Sequence, residues 1–229
     1  MLEAVLAAGI SALGLYLGFL IATKRVPSQL FVGLAMALGS GLLMAEVAYG
    51  LVLETVETTG EVNLVGISFA AGALVYYIGD RLIAAKYGEG GGLGIALGAA
   101  LDGVPESIVM GISVATFGDP AIALVIGAFV SNIAEGIGGT ASMVESGFAA
   151  GRTQVMWLAI AGASVLSAMV GYEVLASVAK NNGAVFSGFA AGSLLTVIAN
   201  ALIPEGYERA GRLAGLIVVL GFGIGFALE

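Results

Sequence analysis

Long apolar runs separated by short polar connectors organise the whole chain. An α-helix rises about 1.5 Å per residue, so roughly 20 apolar residues cross the ~30 Å hydrocarbon core of a bilayer. Stretches of about that length cover 4–23, 30–53, 63–85, 93–117, 120–145, 154–178, 183–203 and 212–228, which predicts eight transmembrane helices. The connectors "TKRVPSQ", "ETVETTGEVN", "KYGEGGG", "FGDP", "ESGFAAGRTQ", "KNNG" and "PEGYERAGR" carry the charges, glycines, prolines and asparagines that end helices. None is long enough for a soluble domain. The pattern predicts an all-α integral membrane protein, with 1–229 as a single transmembrane domain. No basic segment precedes "MLEAVLAAGISALGLYLGFLIA", which begins with Glu3, so a retained first helix is expected rather than a cleaved signal.

Composition sharpens this picture. Hydrophobic residues make up 59% of the chain and charged ones 10%, against about 25% charged in ordinary soluble domains. The formal net charge of -8 argues against nucleic acid and against anionic-lipid docking as the main role, leaving membrane lipid as the surroundings. The 37 glycines suit helices that pack backbone to backbone, as in "GLGIALGAALDG". Cysteine is absent, which excludes disulfides and thiolate metal sites, and histidine is absent too.

Basic residues set the orientation, because short cytoplasmic loops retain Lys and Arg. Lys24, Arg25, Arg81, Lys86, Arg152, Arg209 and Arg212 fall on one side, and Lys180 alone on the other. Glu54, Glu57, Glu61 and Asp119 fall opposite the basic side. A multi-pass protein of the cell membrane with both termini extracytoplasmic follows as the expectation.

An internal repeat emerges when 40–57, "SGLLMAEVAYGLVLETVE", is laid over 191–208, "AGSLLTVIANALIPEGYE". Gly41 then matches Gly192, Leu43 matches Leu194, Ala48 matches Ala199, Leu51 matches Leu202, Glu54 matches Glu205, and Glu57 matches Glu208. The two segments run in opposite directions across the membrane, as inverted repeats do. "LDGVPESI" set against "VSNIAEGI" aligns Glu106 with Glu135 in a second oppositely directed pair.

Carboxylates in the middle of a span are costly, and they ordinarily face a cavity, a partner or an ion. Asp102 and Glu106 lie mid-helix in the fourth stretch, and Ser131, Asn132 and Glu135 in the fifth. A spacing of four puts Asp102 and Glu106 on one helix face, and likewise Ser131 and Glu135. Pro105 withholds an amide donor from the carbonyl of Leu101, which leaves that oxygen for a cation. With no basic residue at mid-helix, protons or metal ions are left to neutralise these carboxylates. A tight bundle of protonated, hydrogen-bonded carboxyls is the plain alternative. Met110 continues the Asp102 face but reads more simply as core, while Glu46 and Asn200 are further candidates. Asp80, Glu145, Glu173 and Glu205 lie near helix ends, where snorkelling or an ion pair accounts for them.

"DGVPES" and "SNIAEG" resemble the paired metal-binding motifs, H-N-x-P-E-G and Q-N-x-P-E-G, of the ZIP (Zrt/Irt-like) family of divalent metal transporters, closest to its GufA-like branch. "GSGLLMAE" in helix two and "SLLTVIANALIPEGYE" in helix seven extend the resemblance to nearly the whole chain. It implies a ZIP-like 3+2+3 arrangement of eight helices with inverted repeats, in a homodimer. It also implies that helices one, four, five and six carry the metal past a scaffold. Glu106 and Glu135 are then the central ligands, Asp102 stands where the family has histidine, and Asn132 keeps the motif asparagine. Ser131 replaces a Gln or His, Gly103 an asparagine, Ala134 a proline and Ser107 a glycine. The loop "KYGEGGG" is short and lacks the histidines common there in the family.

Carboxylate, amide and hydroxyl oxygens favour hard cations such as Mn, Mg or Ca, although Zn and Fe also accept oxygen ligands. The divalent ion, be it Zn, Mn, Fe or another, is thus the expected substrate rather than a resident cofactor. A non-transporting relative that binds metal or protons as a structural or sensory module is the alternative. No enzyme is expected. "YYIGD" lacks the full G-x-G-D of aspartyl intramembrane proteases, and "DGVPES" lacks the Ala-Arg of lipid-headgroup transferases.

Overall fold

The computed structural model describes residues 1–25, 27–87, 92–118, 122–178 and 182–228. They form helices and connecting turns, with no strand among the described residues. The helices are α1 (Leu2–Lys24), α2 (Gln29–Thr59), α3 (Val62–Tyr87), α4 (Gly92–Phe117), α5 (Ile122–Glu145), α6 (Ala150–Val178), α7 (Gly183–Ala210) and α8 (Leu213–Leu228). Seven of these, α1 to α7, are long and apolar enough to cross a membrane, whereas α8 has 16 residues. Asp119 and Lys180 lie outside the described residues.

Two helices outrun their expected ends. α2 continues past 53 to Thr59, and α7 continues past 203 to Ala210. Both contain a π-helical segment, Glu46–Leu53 in α2 and Ile198–Leu202 in α7. Pro204 follows the second, where the widened turn has already opened the ladder that a proline would otherwise break. In α2 the hydroxyls of Thr58 and Thr59 fold back onto the carbonyls of Glu54 and Thr55, carrying the helix into its polar end. Gly60 closes it in the left-handed conformation, φ 70°.

Packing follows glycine. α1 lies on α5, α4 on α6, α3 on α7, α2 on α8, and α2 also on α5 and α7. Exchanging α1 with α6, α2 with α7, α3 with α8 and α4 with α5 maps the α1–α5 pair onto α4–α6 and the α2–α8 pair onto α3–α7. The register of 41 on 192 carries this down to single atoms. A Cβ on Gly41 would overlap the carbonyl oxygen of Val218, and one on Gly192 that of Phe69. Reciprocally, a Cβ on Gly221 would overlap the oxygen of Leu38, and one on Gly72 that of Phe189. The π segments also occupy matching places in that register.

The contacts also sort the helix ends. Gln154 at the start of α6 donates to the Tyr16 hydroxyl in the second half of α1, and Arg209 late in α7 donates to Gln29 at the start of α2. α3 runs alongside α7 in the same direction, Val65 meeting Gly188 and Phe69 meeting Gly192. Lys24, Arg25, Arg81, Lys86, Arg152, Arg209 and Arg212 therefore gather at one end of the bundle, and Leu2 and Leu228 lie at the other. Leu82, Val155, Leu166, Leu216 and Val219, on α3, α6 and α8, are each more than 60% exposed, which suits a lipid-facing surface rather than a watery one.

Candidate metal site

α5 is held between α1 and α2 by close backbone approach. A Cβ on Gly136 would overlap the carbonyl oxygen of Leu15 in α1, and one on Gly39 of α2 would sit 2.8 Å from the Ser131 Cβ. These approaches fix the stretch that carries the candidate ligands. α4 runs unbroken through Pro105 and brings Glu106 to α5.

Between α4 and α5 lies a cavity of about 10 Å³, room for one water-sized occupant. Gly103, Glu106, Ser131, Asn132 and Glu135 line it, and Leu194, Val197 and Leu202 of α7 complete its wall. Glu106, Ser131 and Asn132 are buried, 6%, 2% and 6% exposed, and Glu135 is half-buried. The structure thus brings together four of the five residues singled out from the sequence. The fifth, Asp102, stands one turn before Glu106 on α4, and its side chain lies outside the described residues. Gly103 reaches the wall with backbone only.

Hydrogen bonds orient two of the four. Asn132 Nδ2 donates to the Ser11 carbonyl oxygen at 3.0 Å and to Ser11 Oγ at 2.9 Å. Ser131 Oγ donates to the Ala128 carbonyl at 3.1 Å, which leaves its oxygen lone pairs available as acceptors. The side-chain donors around the cavity are accordingly two carboxylates, an amide and a hydroxyl. Among the described residues no group of three or more Asp, Glu, His or Cys side chains is arranged to hold a metal ion. None of the lining residues is basic. Arg209, which reaches α5 at Gly138, gives its guanidinium to Glu205 at 2.6 Å and to Gln29. A divalent cation balances two carboxylates in charge, and four oxygen-bearing side chains suit a hard ion.

The remaining candidates sit elsewhere. Met110 is 1% exposed and packs in the main hydrophobic core. Glu46 is buried in the π segment of α2 with its carboxylate against its own helix, where a Cβ on Gly50 would meet both carboxylate oxygens at 2.7 Å. Asn200 is exposed on the π segment of α7. Neither lines the cavity. Glu205 is ion-paired with Arg209, while Arg81 donates to the Tyr77 hydroxyl and lies over that ring.

Sequence reasoning missed Leu194, Val197 and Leu202, because apolar residues in a spanning helix carry no chemical signal. It also missed Ser11, a lone serine in an apolar helix. The one available pointer to α7 was the repeat, which covers 191–208. No protein-family model matches the chain, and no curated protein matches it.

Proposed function

We propose that the chain is a divalent-metal transporter of ZIP-like architecture, moving its ion through the carboxylate site between α4 and α5. The observation that carries this reading is the meeting of Glu106, Ser131, Asn132 and Glu135 around one small cavity with no basic residue in its wall. Charging a paired acidic site at mid-span costs several kcal/mol, which a bound ion or a proton would offset.

The arrangement that goes with this reading is the 3+2+3 fold of eight spanning helices with inverted repeats, working as a homodimer. The exchange relation among packed pairs and the matched glycine contacts support it. The end bearing Arg209 and Arg212 faces the cytoplasm, so both termini are extracytoplasmic in the cell membrane. In this picture Leu194, Val197 and Leu202 of α7 close one side of the site while α1, α4, α5 and α6 move with the ion. Oxygen donors with no imidazole or thiolate tilt the substrate towards Mn or another hard cation without excluding Zn or Fe.

That apolar closure also fits a non-transporting protein that holds a metal or protons in a sealed site. Flux separates the two. Proteoliposomes carrying the wild-type chain should take up Mn²⁺ above empty liposomes, and Glu106→Ala with Glu135→Ala should abolish uptake. Uptake unchanged by the double substitution would contradict the site. Wild-type liposomes no leakier than empty ones, with Mn²⁺ still bound, would favour the sealed binder.

A further inference from the structure

We propose that Ser11 of α1, which does not line the cavity, is a positioning residue that fixes which atom of Asn132 meets the ion. The proposal rests on the divalent-ion reading above and deepens it.

A side-chain amide carries a donor end and an acceptor end of nearly equal size, so either can face a cavity. A cation accepts only the oxygen. The Ser11 backbone carbonyl lies 3.0 Å from Asn132 Nδ2, and a carbonyl can only accept, so the NH₂ must face α1. Ser11 Oγ, 2.9 Å away, accepts a second bond from the same nitrogen. Both partners sit on one residue, which pins the amide group and leaves Oδ1 as the amide atom for the ion.

The contact exists because α1 comes close. A Cβ on Gly14, three residues along from Ser11, would stand 3.0 Å from the Asn132 Cβ and 2.5 Å from the Phe129 carbonyl oxygen. Ser11 is 2% exposed and Asn132 6%, so water does not compete for these bonds. An NH₂ turned towards the cavity would place positive partial charge against a divalent ion. The main-chain carbonyl of Ser11 thereby sets the orientation and its hydroxyl tightens it, which keeps the side-chain donors of the cavity wall entirely oxygen.

Isothermal titration of the purified full chain in detergent with Mn²⁺ tests this through a double-mutant cycle. Ser11→Ala removes one of two bonds and should weaken Mn²⁺ binding about five- to tenfold, with Ser11→Thr close to wild type. In an Asn132→Ala background Ser11→Ala should change nothing further, and the melting temperature without metal should not predict the loss. Unchanged affinity in Ser11→Ala, or an equal loss with and without Asn132, would overturn the positioning role while leaving the transporter reading intact. A wild-type chain that binds no divalent ion would overturn both.

Discussion

Gly192→Ala adds one carbon where α7 has no room for it. That carbon would overlap the Phe69 carbonyl oxygen of α3 and stand 2.7 Å from the carbonyl carbon behind it. Comfortable contact needs roughly 3.5 Å, so α7 and α3 must part by about 1 Å or more. Overpacking of this kind costs about 1–3 kcal/mol. The neighbouring bond from Ser193 Oγ to the Gly72 carbonyl, 3.1 Å, would stretch beyond use, at about 0.6–1 kcal/mol. Alanine's better helix propensity returns up to ~1 kcal/mol, leaving a net loss of about 1–3 kcal/mol. The counterpart Gly41→Ala meets the Val218 oxygen in the same way, but Leu42 stands where Ser193 would be. It should cost slightly less. Gly66→Ala and Gly223→Ala, with nothing within 4 Å of the added carbon, serve as controls and should be neutral or slightly stabilising. Reversible unfolding by SDS in mixed micelles, followed by circular dichroism, gives all four values. If Gly192→Ala proved no worse than Gly66→Ala, glycine-mediated packing would be the wrong account of this bundle. A cost for Gly192→Ala with none for Gly41→Ala would refute the paired register.

Three further outcomes follow from other contacts. Trp157→Phe removes the bond from the fully buried indole Nε1 to Thr140 Oγ1, 2.9 Å, and should cost about 1–3 kcal/mol in the same unfolding assay. Adding Thr140→Val should recover part of it, since both polar partners are then gone. Arg209→Ala breaks a half-exposed ion pair and a bond to Gln29, so it should cost about 1 kcal/mol or less, shrinking at high salt. Because the chain contains no cysteine, Lys24→Cys and Thr58→Cys report orientation directly. In intact cells a membrane-impermeant maleimide should label the cysteine at 58 and spare the one at 24, and the reverse pattern would invert the topology.

Much of the fold is legible in hydropathy alone, because lipid demands helices of nearly fixed length. The ends at 53 and 203 are where that reading falls short. Both helices pass through a π segment into a polar extension, and neither the widened turn nor the accommodation of Pro204 shows in an apolar count. The site is half legible. Glu106, Ser131, Asn132 and Glu135 stand out because charge and amide at mid-span are rare, and the structure gathers them. Leu194, Val197 and Leu202 were silent because an apolar wall looks like any other span. Ser11 was silent because its role is made by a contact 121 residues away in sequence. Glu46 illustrates the converse: its carboxylate also stands out in the sequence, as a further candidate, yet it lies against Gly50 of its own helix.

Anomalous scattering from crystals soaked in Mn²⁺ locates the ion itself. One strong peak is expected between α4 and α5, within bonding reach of Glu106 and Glu135, with Asn132 Oδ1 turned towards it. The peak should be lost in the Glu106→Gln, Glu135→Gln double variant. A cavity with no anomalous peak at saturating Mn²⁺, or a peak that survives the double substitution, would contradict the carboxylate site.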